Sequence, residues 1–379
     1  MIYLDNSATS FPKPICVTNA VSRAMKIYGA NPGRSGHTMS KKSGLEIERA
    51  RQVVTGFFGA YDTKNIAFTL NCTQAINMVI KGILKPGDHV VVSNLEHNAV
   101  MRPIRKLEKI NYINFTVANI YPEDFDKTVD SFRNSINSKT RLIICTHASN
   151  VLGFRAPIER IAAMAKIYEI PILVDAAQSA GLLPIDIKNM DIDFLCVAGH
   201  KALYGPMGTG ILITNEGDKL DTIIEGGTGT NSLTFCHPKE MPQKFESGTP
   251  NMSGISGLKA GIEFVQKTGI KNIFNHELSL ISYLYDNLKN MKNVELYTPR
   301  PNKDFFVPVL SFNIKNYTSD EIGKILNSNN IEVRTGLHCA PTAHKIINTL
   351  ERGTVRVSPS IFNNKQEINK LINIVSKIN

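Results

Sequence analysis

The sequence predicts an α/β fold: a large domain built on a mainly parallel sheet with helices on both faces, followed by a smaller α+β domain. Three observations lead there. Short, continuously apolar runs recur through the first 200 residues, each is followed by a polar turn and a segment of helical period, and the pattern changes after about Gly254. Strands that are apolar throughout, rather than on alternate residues, are buried on both faces, as in parallel sheets covered by helices. At 379 residues, 42% hydrophobic and 20% charged, the chain has the balance of a globular protein with a large core, and disordered, collagen-like and coiled-coil classes are excluded.

In chain order the apolar runs are Ile66 to Leu70, His89 to Ser93, Leu142 to Thr146, Ile172 to Asp175 and Phe194 to Ala198. Between them, Gln74 to Leu84 and Pro157 to Tyr168 carry the three- and four-residue apolar spacing of helices. Beyond Gly254 one long helix is predicted from Ser256 through the high 280s. Strand-like pieces at Val307 to Ile314 and Glu332 to Thr335 come next, then a terminal helix from Lys365.

Lysine and arginine together number 43 against 33 acidic residues, for a net charge of +10. The excess is scattered except at Arg102, Arg105, Lys106 and Lys109, which share one side of a helix. A solvated face accounts for this stripe; a docking patch for an acidic partner is the alternative. No zinc-finger, basic-zipper or RNA-recognition pattern occurs, so nucleic acid is not an expected partner. No stretch approaches the ~18 apolar residues of a membrane span, and the N-terminus lacks a signal peptide's basic flank and apolar run. A cytoplasmic protein with no membrane partner is expected. The six cysteines, Cys16, Cys72, Cys145, Cys196, Cys236 and Cys339, form no CxxC or clustered pattern, so free thiols are expected rather than disulfides or a metal site.

Ligands of such sheets gather beyond the carboxyl ends of the strands, and three of those ends carry chemistry. After Ile66 to Leu70 comes Asn71-Cys72-Thr73-Gln74, where Thr73 stands at the expected helix cap; it either only caps the helix or helps the helix start hold a phosphate. Asp175 directly follows three apolar strand residues, so its buried carboxylate needs a cationic partner. Lys201 emerges from the strand Phe194 to Ala198 beside His200 and ahead of a glycine-rich turn at 205–210, an environment that lowers an amine's pKa as covalent catalysis by lysine requires. Asp175 and Lys201 together point to pyridoxal 5'-phosphate: the lysine bonds the cofactor, the aspartate keeps its ring nitrogen protonated, and the helix start holds its phosphate.

At these residues the chain resembles the cysteine desulfurase family, pyridoxal-phosphate enzymes of class V aminotransferase fold, and within it the selenocysteine-lyase-like branch with a short catalytic loop. The resemblance runs nearly end to end. It is carried by Tyr3-Leu-Asp-Asn-Ser-Ala-Thr9, Leu95-Glu-His97-Asn98, Ser149-Asn150-Val-Leu-Gly153, Val174-Asp175-Ala-Ala-Gln178, Gly199-His200-Lys201, Phe245-Glu-Ser-Gly-Thr249-Pro-Asn251, Arg334-Thr-Gly-Leu-His-Cys339 and Val355-Arg356-Val. It implies a fold-type I transferase with a seven-stranded sheet in a domain spanning 15–255, and a small domain of 256–379 joined by residues 1–14.

By position the resemblance makes Cys339, Lys201 and His97 catalytic, with His97 stacked on the cofactor ring. Lys201, Asp175, Gln178, Cys72, Thr73, His200, Asn150 and Thr249 would bind the cofactor, Thr249 from the partner of a homodimer. Arg356 would grip the substrate carboxylate, with Asn150 and Arg34 also at the substrate. The implied reaction is sulfur removal from L-cysteine, giving L-alanine and a persulfide on Cys339 for an acceptor protein such as an iron-sulfur scaffold. Cys339 stands between Gly336 and Pro341, in an expected mobile loop, where His338 is one candidate to deprotonate it. Four positions depart from the family pattern: Ala198, Cys72, Gly33 and Leu337. A selenocysteine lyase, a class V aminotransferase or lyase on another amino acid, and a non-catalytic sulfur-carrier scaffold are the alternatives.

Overall fold

The structure, a computed structural model, describes residues 1–32, 36–229 and 233–378. In chain order it begins β1 (Ile2–Tyr3), α1 (Ile15–Ile27), α2 (Thr38–Phe58), β2 (Ile66–Thr69), α3 (Cys72–Ile83), β3 (Asp88–Ser93), α4 (Asn98–Lys109), β4 (Ile113–Ala118), α5 (Phe125–Asn134) and β5 (Thr140–Thr146). It continues α6 (Ile158–Ile167), β6 (Ile172–Asp175), β7 (Phe194–Ala198), β8 (Gly210–Ile213), α7 (Met252–Thr268) and α8 (Ile270–Leu288). The rest is β9 (Val294–Leu296), β10 (Leu310–Ile314), α9 (Ser319–Ser328), β11 (Ile331–Glu332), α10 (Pro341–Ile346), β12 (Val355–Val357) and α11 (Lys365–Val375).

Seven strands form the large sheet in the order β2-β8-β7-β6-β5-β3-β4. All pairs are parallel except those of β8, which runs antiparallel to both neighbours. The continuous apolar runs have a direct cause. Val91, Ile143, Val174, Leu195 and Val197 face a core covered by α2, α5, α6 and α7, while Val90, Val92, Leu142, Ile144, Leu173 and Phe194 face a second core under α3 and α4. Successive side chains of a strand point to opposite faces, and here both faces are dry. Two strands do not announce themselves in this way. Edge strand β4 leaves Asn114, Thr116 and Val117 exposed, and β8 is a four-residue run behind the glycine-rich turn.

The expected single helix after Gly254 is two. Gly269, at φ 87°, ends α7 with its amide on the Val265 carbonyl (2.8 Å), and α8 starts at the next residue. Their packing differs accordingly. α7 lies on α1 and α2 and puts Leu258 and Ile262 into the large sheet's core. α8 puts Leu280, Ile281, Leu284 and Leu288 into a smaller core with Ile2, Leu4, Leu310, Phe312 and Leu371. That core backs the antiparallel sheet β12-β10-β9 and the two-stranded pair of β1 with β11. The strand expected at Val307 to Ile314 begins at Leu310. The one expected at Glu332 to Thr335 is Ile331–Glu332, after which Arg334 makes an isolated bridge to Arg356. Among the described residues no helix is long and apolar enough to cross a membrane.

Candidate active site

A cavity of about 210 Å³ opens at the carboxyl ends of β5, β6 and β7, where the N-terminal segment and the C-terminal part of the chain meet the large sheet. Lys201, Asp175, His97, Gln178, Cys72, Thr73, His200, Asn150 and Arg356 all line it. Asp175, the last residue of β6, is 4% exposed; its Oδ1 accepts the Ala177 amide (2.9 Å) and the Cys72 thiol (3.5 Å). Gln178 is tied to the N-terminal segment by donating to the Ser7 carbonyl at 3.0 Å.

The start of α3 forms one end of the cavity, and its cap is not Thr73. Asn71 is the N-cap, its side chain accepting the Gln74 amide at 2.9 Å, and the helix begins at Cys72, two residues earlier than expected. Thr73 therefore sits in the first turn, where the Cys72 and Thr73 amides have no intrahelical acceptor and point beyond the helix end. The close approach of β8 sets this turn in place. A β-carbon on Gly210 would lie 2.4 Å from the Asn71 carbonyl carbon and 2.6 Å from Thr69 Oγ1, so only glycine fits. Ala198, the end of β7, leaves that wall without a hydroxyl.

The ionisable groups are held away from their solution states. Desolvation lowers the Lys201 amine below the usual lysine range, with Asp175 opposing it. Burial pushes His97 down to about 4 and His200 to about 4. A neutral His97 has a defined tautomer: its Nδ1 accepts the Ala99 amide at 3.0 Å as the cap of α4, which leaves the proton on Nε2. Arg356, 1% exposed, donates from Nη1 to the Asn150 carbonyl (3.0 Å) and from Nη2 to Asp5 Oδ1 (2.6 Å), while its buried Nε has no partner among the described residues.

Cys339 does not line the cavity; it is exposed at the cavity's edge. Its neighbours His338 and Arg334 are in the wall, and Arg334 Nη2 lies 3.9 Å from the Cys339 sulfur. His338 (φ 49°) and Cys339 (φ 57°) are the central residues of a turn closed by the Ala340 amide on the Leu337 carbonyl at 2.9 Å. Both are in the left-handed region, costing about 1–2 kcal/mol each for residues with a β-carbon. The strain is held by two tethers: Asn98 donates its amide to the Cys339 carbonyl (2.7 Å), and Asn150 Nδ2 donates to the His338 carbonyl (2.8 Å). The His338 ring, pushed down to about 2 chiefly by burial, donates from Nε2 to the Thr354 carbonyl at 3.1 Å; its Nδ1 is buried and has no partner among the described residues. A ring so hard to protonate is a poor base for the thiol.

Thr249 is exposed, outside the cavity, with its hydroxyl accepting from Asn31 Nδ2 at 3.4 Å. Arg34 and Gly33 lie outside the described residues. Leu337, 38% exposed, adds an apolar side chain beside Cys339.

This geometry has close counterparts. The class-V aminotransferase profile matches residues 2–371. A probable cysteine desulfurase of Methanothermobacter thermautotrophicus is 34% identical over 98% of this chain and 92% of that protein, and a cysteine desulfurase of Wigglesworthia glossinidia brevipalpis is 32% identical over 100% and 92%. The chain belongs to the cysteine desulfurases of the class-V aminotransferase family. Among solved structures, the apo cysteine desulfurase of Thermococcus onnurineus superposes with a TM-score of 0.92 at 30% identity, covering all of this chain and 94% of that one.

Class-V aminotransferases depend on pyridoxal phosphate, and the residues of this cavity fit that group. The donor set is right for it: an amine at Lys201, a carboxylate at Asp175 buried without a cation in direct contact among the described residues, and free amides at the start of α3. Two buried nitrogens on the cavity walls, His200 Nδ1 and Arg356 Nε, have no partner among the described residues. Ser7, Arg334 and Asp5 escaped the residue-by-residue sequence reading. Ser7 and Arg334 line the cavity and Asp5 holds Arg356, yet only their membership of the quoted motifs marked them.

Proposed function

We propose that this chain is a cysteine desulfurase, a sulfurtransferase that takes sulfur from L-cysteine with bound pyridoxal phosphate and leaves L-alanine. One observation supports this most strongly: an exposed thiol, Cys339, on a strained turn at the edge of a cavity holding a desolvated lysine and a buried aspartate. When bound, pyridoxal phosphate supplies the electron sink for cleavage at the substrate's β-carbon.

The chain's own residues then have distinct tasks. Lys201 holds the cofactor by its amine and moves the substrate's α proton at Nζ; a lysine kept below its usual pKa has the neutral amine this needs. Asp175 keeps the proton on the cofactor's ring nitrogen. The Cys72 and Thr73 amides and His200 take the phosphate. His97, neutral and protonated on Nε2, would stack on the cofactor ring and offer that proton within the cavity. Arg356, fixed by Asp5 and the Asn150 carbonyl, has Nε free for the substrate carboxylate. Cys339, as thiolate, would attack the substrate sulfur: the S–S bond forms as the sulfur–β-carbon bond breaks, the carbon keeps the electron pair and takes a proton on the way to alanine, and the persulfide stands within reach of solvent.

In this reading the chain is a cytoplasmic homodimer that passes sulfur to an acceptor protein. Thr249 and the segment with Arg34 serve the partner's cavity, and the chain divides into a large domain of 15–255 and a small domain of 256–379 joined by 1–14, with α7 packed on the large sheet's core. The test is covalent: with pyridoxal phosphate the protein gains a visible absorption band, and borohydride reduction followed by peptide mass mapping puts the cofactor on Lys201. Labelling of another lysine, or none, contradicts the assignment.

A further inference from the structure

The peptide that precedes Lys201 is gripped by more donors than its oxygen has lone pairs. The His200 carbonyl accepts the Lys13 ammonium at 2.8 Å, the Ser10 amide at 3.1 Å, Thr9 Oγ1 at 3.1 Å and Ser10 Oγ at 3.3 Å. A carbonyl has two lone pairs, so the donors compete, and the charged one forms the strongest bond of the set. All four come from residues 9–13, the segment leading into α1, and Lys13 also donates to Ser10 Oγ at 2.8 Å. Lys13 is half-buried, and burial alone pushes its amine down to about 8. Taking an ammonium out of water is costly unless it is well bonded, and the acceptors found for it are this carbonyl and one hydroxyl.

The peptide on the other side of Lys201 is fixed too. The Lys201 carbonyl accepts the Tyr204 amide at 2.8 Å, and Gly199 is pinned in both directions, its amide on the Thr209 carbonyl (3.0 Å) and its carbonyl on the Gly205 amide (2.8 Å). Peptide units are planar, so holding the planes on both sides of a residue fixes its φ and ψ and the direction of its Cα–Cβ bond. We propose that Lys13 is a positioning residue for Lys201: its ammonium locks the His200–Lys201 peptide plane and so aims the Lys201 side chain into the cavity. The proposal rests on the reading of Lys201 as the cofactor lysine. It adds a charged clasp, from a segment remote in sequence, to the machinery that aims it.

The test compares wild type, Lys13→Met and Lys13→Arg as the full chain loaded with pyridoxal phosphate. In Lys13→Met, turnover of L-cysteine falls about tenfold, as a misaimed reacting group requires, while KM stays within about twofold. The pH midpoint of the visible cofactor band shifts as well, and Lys13→Arg, which keeps a charged donor, recovers most of both. An anchoring role only would give losses that follow the melting temperature and leave the band's pH midpoint in place; that result overturns the proposal, as does a Lys13→Met protein identical to wild type. A wild-type protein that takes up no cofactor at Lys201 would instead sink the reading of the site, and the clasp with it.

Discussion

Glu96 shows what one buried carboxyl does beside a catalytic centre. It is fully buried between the ends of β3 and β5, where Oε1 accepts from Ser93 Oγ and the Thr146 amide, each at 2.6 Å, while Oε2 has no partner among the described residues. Burial, and after it the Asp175 charge, raises its pKa to about 8 from the usual 4.5. The folded chain therefore keeps the Glu96 proton over a range in which the unfolded chain has lost it. The associated stability is complete below about pH 4.5 and is lost as the pH rises to about 8. Glu96→Gln keeps both acceptor contacts and has no proton to lose. Its stability relative to wild type should rise by a few kcal/mol, in order of magnitude, between pH 5 and pH 8.5. Urea unfolding at the two pH values measures this, and an unchanged difference between the proteins would contradict it.

At the scale of elements, α3 matters most, because its first turn faces the cavity. Asn71→Ala removes the side-chain cap and should cost about 1 kcal/mol in urea unfolding. It should also weaken retention of pyridoxal phosphate, measured by dialysis, because the turn that presents the Cys72 and Thr73 amides frays. Retention equal to wild type would separate the cap from the site. The same turn marks where sequence reading falls short. Asn71 and Thr73 are both good caps two residues apart, and the choice was made by β8 packing Gly210 against Asn71, a contact 139 residues away in the chain. The run from Ser256 to the high 280s is likewise helical in period throughout, and only the positive φ of Gly269 divides it. The five strands that are apolar nearly throughout were legible from their continuous apolar runs. Edge strand β4 was not, because solvent on one side admits polar residues that break the pattern.

At the scale of the whole molecule, the cavity exists because three distant parts of the chain converge. Asp5 meets Arg356 across 351 residues, and Arg356 in turn holds the Asn150 carbonyl. Asp175, Lys201 and Thr73 could be read locally because each ends or follows an apolar strand or stands at a helix start, whereas His97, Asn150, Arg356 and Cys339 were marked only by the family's motifs. Asp5 and Arg334 take their places through tertiary contacts that no local pattern encodes. Thr249, exposed and outside its own cavity, supports a prediction at this scale: sedimentation equilibrium of the purified protein should give a dimer, and a monomer at micromolar concentration would leave Thr249 without the proposed task. The central claim, that the sulfur passes through Cys339, is tested most directly by mixing the cofactor-loaded protein with L-cysteine and a thiol reductant and measuring alanine and sulfide. Wild type should release the two in equal amounts, and Cys339→Ala should keep its bound cofactor while losing sulfide release by about 100-fold or more. Equal sulfide from both proteins would contradict the account.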